Sequence, residues 1–435
     1  MQPAELEAMR RGWCPTLHRP MTTGDGLLVR LQLRGARLTA AQARAIAAAA
    51  LACGNGLIDL SGRGNLQIRG VRPTTHPSLV TMLGAAGIDD QSSATRCLVS
   101  PLTGVDPTEI LDAGRLADEI DAALATAAVA PSIPAKLAIV VDGGGLPLDD
   151  VDADIRFVAI DRSRVGVAIA GPSCDLRIGS CSSLKVPSVA LSIVSEFCRE
   201  RGASNSAQSI RYLSSRSRQR VAECVRLPIS PPPRPRVASA RIGPISVGSG
   251  RFAVGLGATF GRLDAGLLDR LAAWSEEFGG SELRLSPWRS IFIPDVAEPD
   301  VRLLLAAAAE ADLIVDENDP RRAIVACPGA PACARASVST HADAARLVTE
   351  VPRLLDGATV HFSGCAKGCA RRAAADLTLV GKDGRYGVVI GGNARDQPLV
   401  HIEIGTIIDR LRALENGSSS ATQSSRRLAR ALAAT

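Results

Sequence analysis

Apolar side chains alternate with polar ones from Val29 to Leu31, an alanine-rich apolar run follows behind Thr39, and a second strand-like stretch ends at Val71. Alternation buries one face of a strand, and a Thr or Asp ahead of an apolar run caps a helix. The same strand–helix–strand phrase occurs twice. Gly26 to Val71 lies over Arg251 to Val296 at a constant shift of 225 residues. Val29 and Leu31 match Val254 and Leu256, Leu38 matches Leu263, and Thr39 matches Asp264. Gly54 matches Gly279, and Leu60-Ser61 matches Leu285-Ser286.

Downstream the match resumes with small changes of offset. Ser100-Pro101 falls on Cys327-Pro328, Ala153-Asp154-Ile155 on Ala375-Asp376-Leu377, and Gly166–Gly171 on Gly387–Gly392. Ser100 stands where Cys327 stands, and Gly143 where Cys365 stands, so chemistry built on those cysteines belongs to the second copy alone. Pro228 to Pro235 separates the copies as a stiff, extended linker. The expected fold class is α+β, two pseudo-symmetric halves with mixed or antiparallel sheets. The expected modules are residues 12–90 and 91–227, a linker at 228–240, then 241–310 and 311–414. A polar, low-complexity tail at 415–435 is expected to be disordered.

Composition narrows the class. At 435 residues, 46% hydrophobic and 22% charged, the chain is that of a globular protein with a large core. Its net charge of +6 fits an anionic substrate as well as a nucleic acid; with no dense basic run in the globular part, no nucleic-acid partner is expected. The stretches Ala45–Cys53 and Leu303–Ala309 are far too short to span a membrane. Met1 to Arg11 has two Glu and no apolar core, unlike a signal peptide. Eleven cysteines then read as reduced thiols or metal ligands in a cytoplasmic protein.

Four of those cysteines stand in two short pairs. Cys327-Pro-Gly-Ala-Pro-Ala-Cys333 is C-x5-C, and after 31 residues Cys365-Ala-Lys-Gly-Cys369 is C-x3-C. A [4Fe–4S] cube takes one thiolate per iron corner, and this set supplies four. The flanking Gly329, Gly364, Gly368, Pro328 and Pro331 favour turns whose N–H groups are free to face sulfur. Zinc and disulfides are the alternatives; zinc prefers tighter knuckles, and disulfides belong to secreted chains.

Ser61 to Val71 holds the second candidate. Read as one strand, it puts Arg63, Asn65, Gln67 and Arg69 on a single face, a surface suited to carboxylates. An exposed strand face without a ligand is the plainer alternative.

The cysteine pattern, with Ser363-Gly364 ahead of the second pair, resembles the cluster motif of the sirohaem-dependent sulfite and nitrite reductases. The wording His361-Phe-Ser-Gly-Cys-Ala-Lys-Gly-Cys369 is most similar to one branch, the precorrin-3B synthases of aerobic cobalamin biosynthesis. Arg11-Gly-Trp-Cys-Pro15 and Met21-Thr-Thr-Gly-Asp-Gly-Leu-Leu-Val-Arg30 resemble that branch too, and the likeness runs from about Gly12 to about Asp396. It implies a tetrapyrrole cleft between the halves and the cluster. Its carboxylate-binding residues would match Arg63, Gln67, Arg69, Arg96 and Lys136 here, and Arg289 is a further candidate in the second copy. Ala138 occupies the place of the reductases' second lysine, which weakens a reading as a sulfite or nitrite reductase.

The branch implies an O2-dependent monooxygenase that hydroxylates precorrin-3A at C20 and closes a γ-lactone. It further implies a mononuclear non-haem iron, whose ligands the sequence does not assign, and an electron donor, either an NAD(P)H-linked reductase or a ferredoxin. The rival readings are a sirohaem-dependent ferredoxin sulfite or nitrite reductase and a non-catalytic iron–sulfur carrier or sensor. Trp288, beside Arg289, is either a macrocycle-packing residue or plain core, and His361 reads as a strand histidine near the cysteines.

Overall fold

The computed structural model describes residues 13–89, 97–202, 207–229, 231–233, 235–236, 240–355, 357–416, 429 and 431–432. They form four lobes in two matched pairs. The first lobe holds β1 (Met21–Thr23), β2 (Gly26–Leu31), β3 (Arg37–Thr39), α1 (Ala40–Cys53), β4 (Leu57–Leu60), β5 (Leu66–Val71) and α2 (His76–Ala85). The second holds β6 (Cys97–Leu98), α3 (Ala113–Thr126), β7 (Ile139–Asp142), β8 (Ile155–Ala159), β9 (Arg164–Ile169), β10 (Leu176–Ser182), α4 (Val186–Glu200) and α5 (Ser215–Glu223). The third lobe repeats the first as β11 (Gly243–Gly248), β12 (Arg251–Gly257), β13 (Arg262–Asp264), α6 (Ala265–Phe278), β14 (Glu282–Leu285), β15 (Ser290–Ala297) and α7 (Glu298–Glu310). The fourth repeats the second as β16 (Ile324–Ala326), α8 (Thr340–Glu350), β17 (Val360–Ser363), β18 (Ala375–Lys382), β19 (Arg385–Gly392), β20 (Val400–Ile402) and α9 (Ile404–Asn416).

The offset of 225 holds residue for residue across β3/β13, α1/α6 and β4/β14. The caps match as well. Thr39 and Gln42 form a reciprocal capping box on α1, and Asp264 accepts from Leu267 N on α6.

The two copies are interlocked. β13 pairs antiparallel with β4, Leu263 opposite Ile58, while β3 pairs with β14, Leu38 opposite Leu283. Each antiparallel sheet, β1-β2-β5-β4-β13 and β11-β12-β15-β14-β3, is therefore completed by a strand of the other copy. Helices α1 and α6 lie together over this arrangement, and Ile46, Ala47 and Ala50 join Leu268, Leu271 and Ala272 in one core. Truncating a fully buried Ile46 or Leu271 to Ala costs about 2–5 kcal/mol, enough to loosen both halves together.

The second and fourth lobes carry mixed sheets of one design, with three parallel strands followed by antiparallel ones. Their register refines the sequence match. Cys97 faces Ile139 as Ile324 faces Val360, so β7 and β17 differ by 221 residues (360 − 139). Gly144, rather than Gly143, therefore stands at the place of Cys365. The expectation of a disordered tail fails at Leu432, which is buried in the fourth core, with its carbonyl accepting from Arg410 at 2.7 Å. Most of that tail lies outside the described residues.

Candidate functional site

Parallel pairing brings the cysteines together. β16 and β17 run side by side, so Cys327 and Cys365 leave the same end of the sheet, and Cys327 N donates to the Phe362 carbonyl at 3.1 Å. The C-x5-C loop is held as a turn: Cys333 N donates to the Gly329 carbonyl at 2.7 Å, and Thr340 Oγ1 donates to the Cys327 carbonyl. Gly329 has φ +66°, and a Cβ there would stand 2.4 Å from Thr340 Oγ1, so glycine is required. Gly364 is equally constrained, since its Cβ would fall 2.6 Å from that of Ala336.

This close approach aims backbone donors at sulfur. Gly364 N lies 3.1 Å from Cys327 Sγ, and Gly329 N donates to the same atom. Burial pushes the Cys327 thiol up; the two N–H groups oppose this, and Cys333 and Cys365 add to it. Part of Cys369 reaches solvent, yet the protein packed around it pushes its thiol up to about 11, with Lys367 opposing and Cys327, Cys365 and Cys333 contributing. The four thiols thus sense one another across one site. They do not close on a single point, because no three His, Cys, Asp or Glu side chains among the described residues gather around one metal ion. A cube that gives each thiolate its own iron fits this donor set, and the N–H···S cradle suits its charge.

The cluster loop is seated on the first lobe. The β1–β2 turn, within the Met21–Arg30 segment, packs so closely that a Cβ on Gly24 would stand 2.3 Å from the Pro331 carbonyl oxygen. Gly24 N donates to the Ala332 carbonyl at 3.2 Å. Arg69 Nη2 donates to the same carbonyl at 2.8 Å while its guanidinium grips Asp25 and Asp59. Arg69 is 2% exposed and bound on every side. The expectation that it faces a ligand is corrected: two aspartates and a carbonyl consume its donors.

The remaining anion-binding candidates divide. Arg63 lies in the turn before β5 rather than in the strand, and its Nη2 donates to the Lys136 carbonyl at 2.6 Å. Burial lowers its pKa; Asp154 and Cys14 oppose this, while Arg372 and Arg30 lower it further. Gln67, its amide oriented to satisfy the network, accepts from Arg30 Nη2 and Nε at 3.0 and 3.2 Å. Arg30, Arg63 and Asn65 line one small pocket beside Cys97 and Ala135. Lys136 borders this region through its backbone, and Arg96 lies outside the described residues.

Arg289 occupies the matching turn between β14 and β15, with φ +59° against +64° at its counterpart Gly64. Its Nη2 donates to the Ala370 carbonyl at 3.1 Å, one residue past Cys369. Trp288 is partly buried at the edge of a small apolar cluster. It packs near Leu102 and Leu146, its indole N–H reaches Asp150 at 3.2 Å, and Arg241 lies 4.2 Å over its ring. Sequence reasoning missed Arg30, Arg371 and Arg372; the Arg-Arg pair two residues after Cys369 was the available signal.

The first copy spends the equivalent place on structure. Asp142, 3% exposed, ends β7 and receives Arg236 from the linker region, with Nη1 at 2.7 Å from Oδ1 and Nη2 at 2.5 Å from Oδ2. Arg236 Nη1 also donates to the Gly145 carbonyl at 2.8 Å.

A duplicated ferredoxin-like half, interlocked through exchanged strands and carrying four thiols on one mixed sheet, defines the class: an oxidoreductase of sulfite/nitrite reductase architecture. The family model "Nitrite/Sulfite reductase ferredoxin-like half domain" matches residues 19–86 and 245–311, the first and third lobes. The Mycobacterium tuberculosis NirA structure superposes with a TM-score of 0.71 at 20% identity, covering 93% of this chain and 83% of that one. An assimilatory ferredoxin-dependent nitrite reductase of Haloferax mediterranei is 25% identical over 79% of this chain and 68% of its own length. A precorrin-3B synthase from a Sinorhizobium species is 34% identical over 96% of this chain and 92% of its own. The chain belongs to the precorrin-3B synthase family.

Proposed function

We propose that this enzyme is a precorrin-3B synthase, an O2-dependent monooxygenase that hydroxylates precorrin-3A at C20 and closes the γ-lactone. The observation that carries the reading is the grouping of Arg30 and Arg372 around Arg63, with Arg372 three residues past Cys369. Arg30 and Arg372 each repel Arg63, and Arg63 has no salt bridge among the described residues. Guanidinium groups that outnumber the one carboxylate acting on them, Asp154, favour a ligand that brings its own, as a polycarboxylated tetrapyrrole does. Arg63, Gln67, Lys136 and Arg289, with Arg96, would border that ligand; Arg69 holds the platform beneath.

Cys327, Cys333, Cys365 and Cys369 would hold a [4Fe–4S] cluster, which when bound supplies one-electron transfer from an external donor, a ferredoxin or an NAD(P)H-linked reductase. Arg289 fixes the backbone just past Cys369; burial lowers its pKa, Arg371 adds to this, and Asp59 opposes it. Among the described residues no three His, Cys, Asp or Glu side chains gather at one point, so the ligands of a mononuclear iron stay unassigned. His18 pairs with Asp89, His76 with the Leu17 carbonyl, and His341 stands edge-on to Phe260, so no step is assigned to such a metal. Ala138, 2% exposed where the reductases carry a lysine, weighs against sulfite or nitrite as substrate.

The test is an anaerobic absorption spectrum with iron and sulfide analysis, followed by O2-dependent turnover of precorrin-3A. Roughly four irons, a broad band without porphyrinoid structure, and lactone product support the proposal. Intense sirohaem bands with sulfite or nitrite turnover would replace it with the reductase.

A further inference from the structure

His361 is fully buried in β17, and neither ring nitrogen has a hydrogen-bond partner among the described residues. A buried imidazole left unsatisfied forfeits a hydrogen bond and pays for desolvation, so a group outside the polypeptide is expected to complete it. The ring's direction identifies where. Phe362 and Val360 face the helix-covered core, while His361 faces the opposite side of the sheet. There its Cε1, the carbon between the two nitrogens, lies 3.9 Å from where a Cβ of Gly368 would stand. The nitrogen-bearing edge thus points at the Cys365–Cys369 loop, at the one residue of that loop with no side chain to cover it.

An imidazole carries at least one ring N–H donor in either protonation state. No carbonyl of that loop bonds the ring among the described residues, which leaves the sulfur atoms as its acceptors. Resting on the proposed cluster, we infer that His361 donates its ring N–H to a sulfur of the cluster held on the Cys365–Cys369 loop and thereby sets its reduction potential. A donor to cluster sulfur stabilises the reduced, more negative state, so it raises the potential. His361 is a positioning and tuning residue in this role, and the glycine at 368 is part of the same device.

The experiment uses the full chain, purified anaerobically. Iron and sulfide are counted first; a wild-type protein without them overturns the cluster, and this inference with it. Next, redox titration followed by electron paramagnetic resonance compares wild type with His361→Leu and His361→Gln. With the cluster retained, His361→Leu is expected to move the midpoint to more negative potential, and His361→Gln to restore part of the shift. An unchanged midpoint in a cluster-loaded His361→Leu overturns the inference. If that variant does not retain the cluster, the wild type labelled with 15N-histidine decides. Weak 15N coupling to the reduced cluster in pulsed resonance supports the contact, and its absence overturns it.

Discussion

Arg69 and Asp25 form a two-pronged ion pair, Nε to Oδ2 and Nη2 to Oδ1, both at 2.9 Å, directly beneath the cluster loop. The pair is stabilising only as a whole, because removing one partner strands the other charge in a site with almost no solvent. Arg69→Ala should therefore lower stability by about 3–5 kcal/mol. It should also speed iron loss, because Nη2 holds the Ala332 carbonyl next to Cys333. Chemical denaturation and the rate of iron transfer to a chelator measure the two effects. A variant of unchanged stability would show that the pair is incidental.

Arg63 should behave in the opposite way. Among the described residues its guanidinium donates to the Lys136 carbonyl alone, and its neighbours Arg30 and Arg372 repel it. Arg63→Ala should weaken tetrapyrrole binding by roughly 1–3 kcal/mol, the range for a lost charge-assisted contact, and leave iron content and unfolding midpoint near wild type. Equilibrium binding of a polycarboxylated tetrapyrrole, beside a denaturation curve, separates ligand contact from structure. Loss of the iron–sulfur absorption in this variant would make Arg63 structural instead.

The contrast between these two arginines marks what the sequence made legible. A constant shift of 225 residues exposes the duplication, and the caps at Thr39 and Asp264 fix the helix starts, because both depend on local chemistry. The exchange of β3 and β13 between the copies left no such mark, since it joins residues more than 200 positions apart. Period-two reasoning put Arg63 and Arg69 on one strand face. A turn at Ser61–Asn65 and a left-handed Gly70 break that alternation, and Arg69 turns to Asp25. The cysteine pairs were readable because metal ligation fixes both residue type and spacing. Arg30 and Arg372 were not, because their meeting with Arg63 is tertiary.

The cysteine set makes a sharper prediction. Cys327, Cys333, Cys365 and Cys369 influence one another, whereas the Cys181 thiol is pushed up to about 11 by burial, with Lys185 opposing. Serine at any of the first four should abolish or strongly deplete iron and sulfide, since a hard hydroxyl replaces a soft thiolate. Cys181→Ser should keep full iron and lose only modest stability. Iron per chain across the five variants tests this, and iron loss in Cys181→Ser alone would move the metal site to the first copy.

Stability should fall in mild acid, and His341 should account for part of the fall. Burial, aided by Arg262, Arg289 and Arg69 and opposed by Asp59, pushes its imidazole down to about 4. In the unfolded chain the same group titrates near its ordinary 6.5. Between those values the unfolded state binds a proton that the folded state refuses, so unfolding free energy rises with pH across this window. Above about pH 6.5 the stability is fully present; toward pH 4 this one group costs on the order of 2–3 kcal/mol. His341→Gln keeps a polar side chain but removes the titration, so its unfolding midpoint should depend less on pH between 7 and 5 than that of wild type. Urea titrations at pH 7, 6 and 5 check the difference. Parallel curves for the two proteins would mean that His341 takes up its proton equally well in both states, and that the charges around it leave it unperturbed.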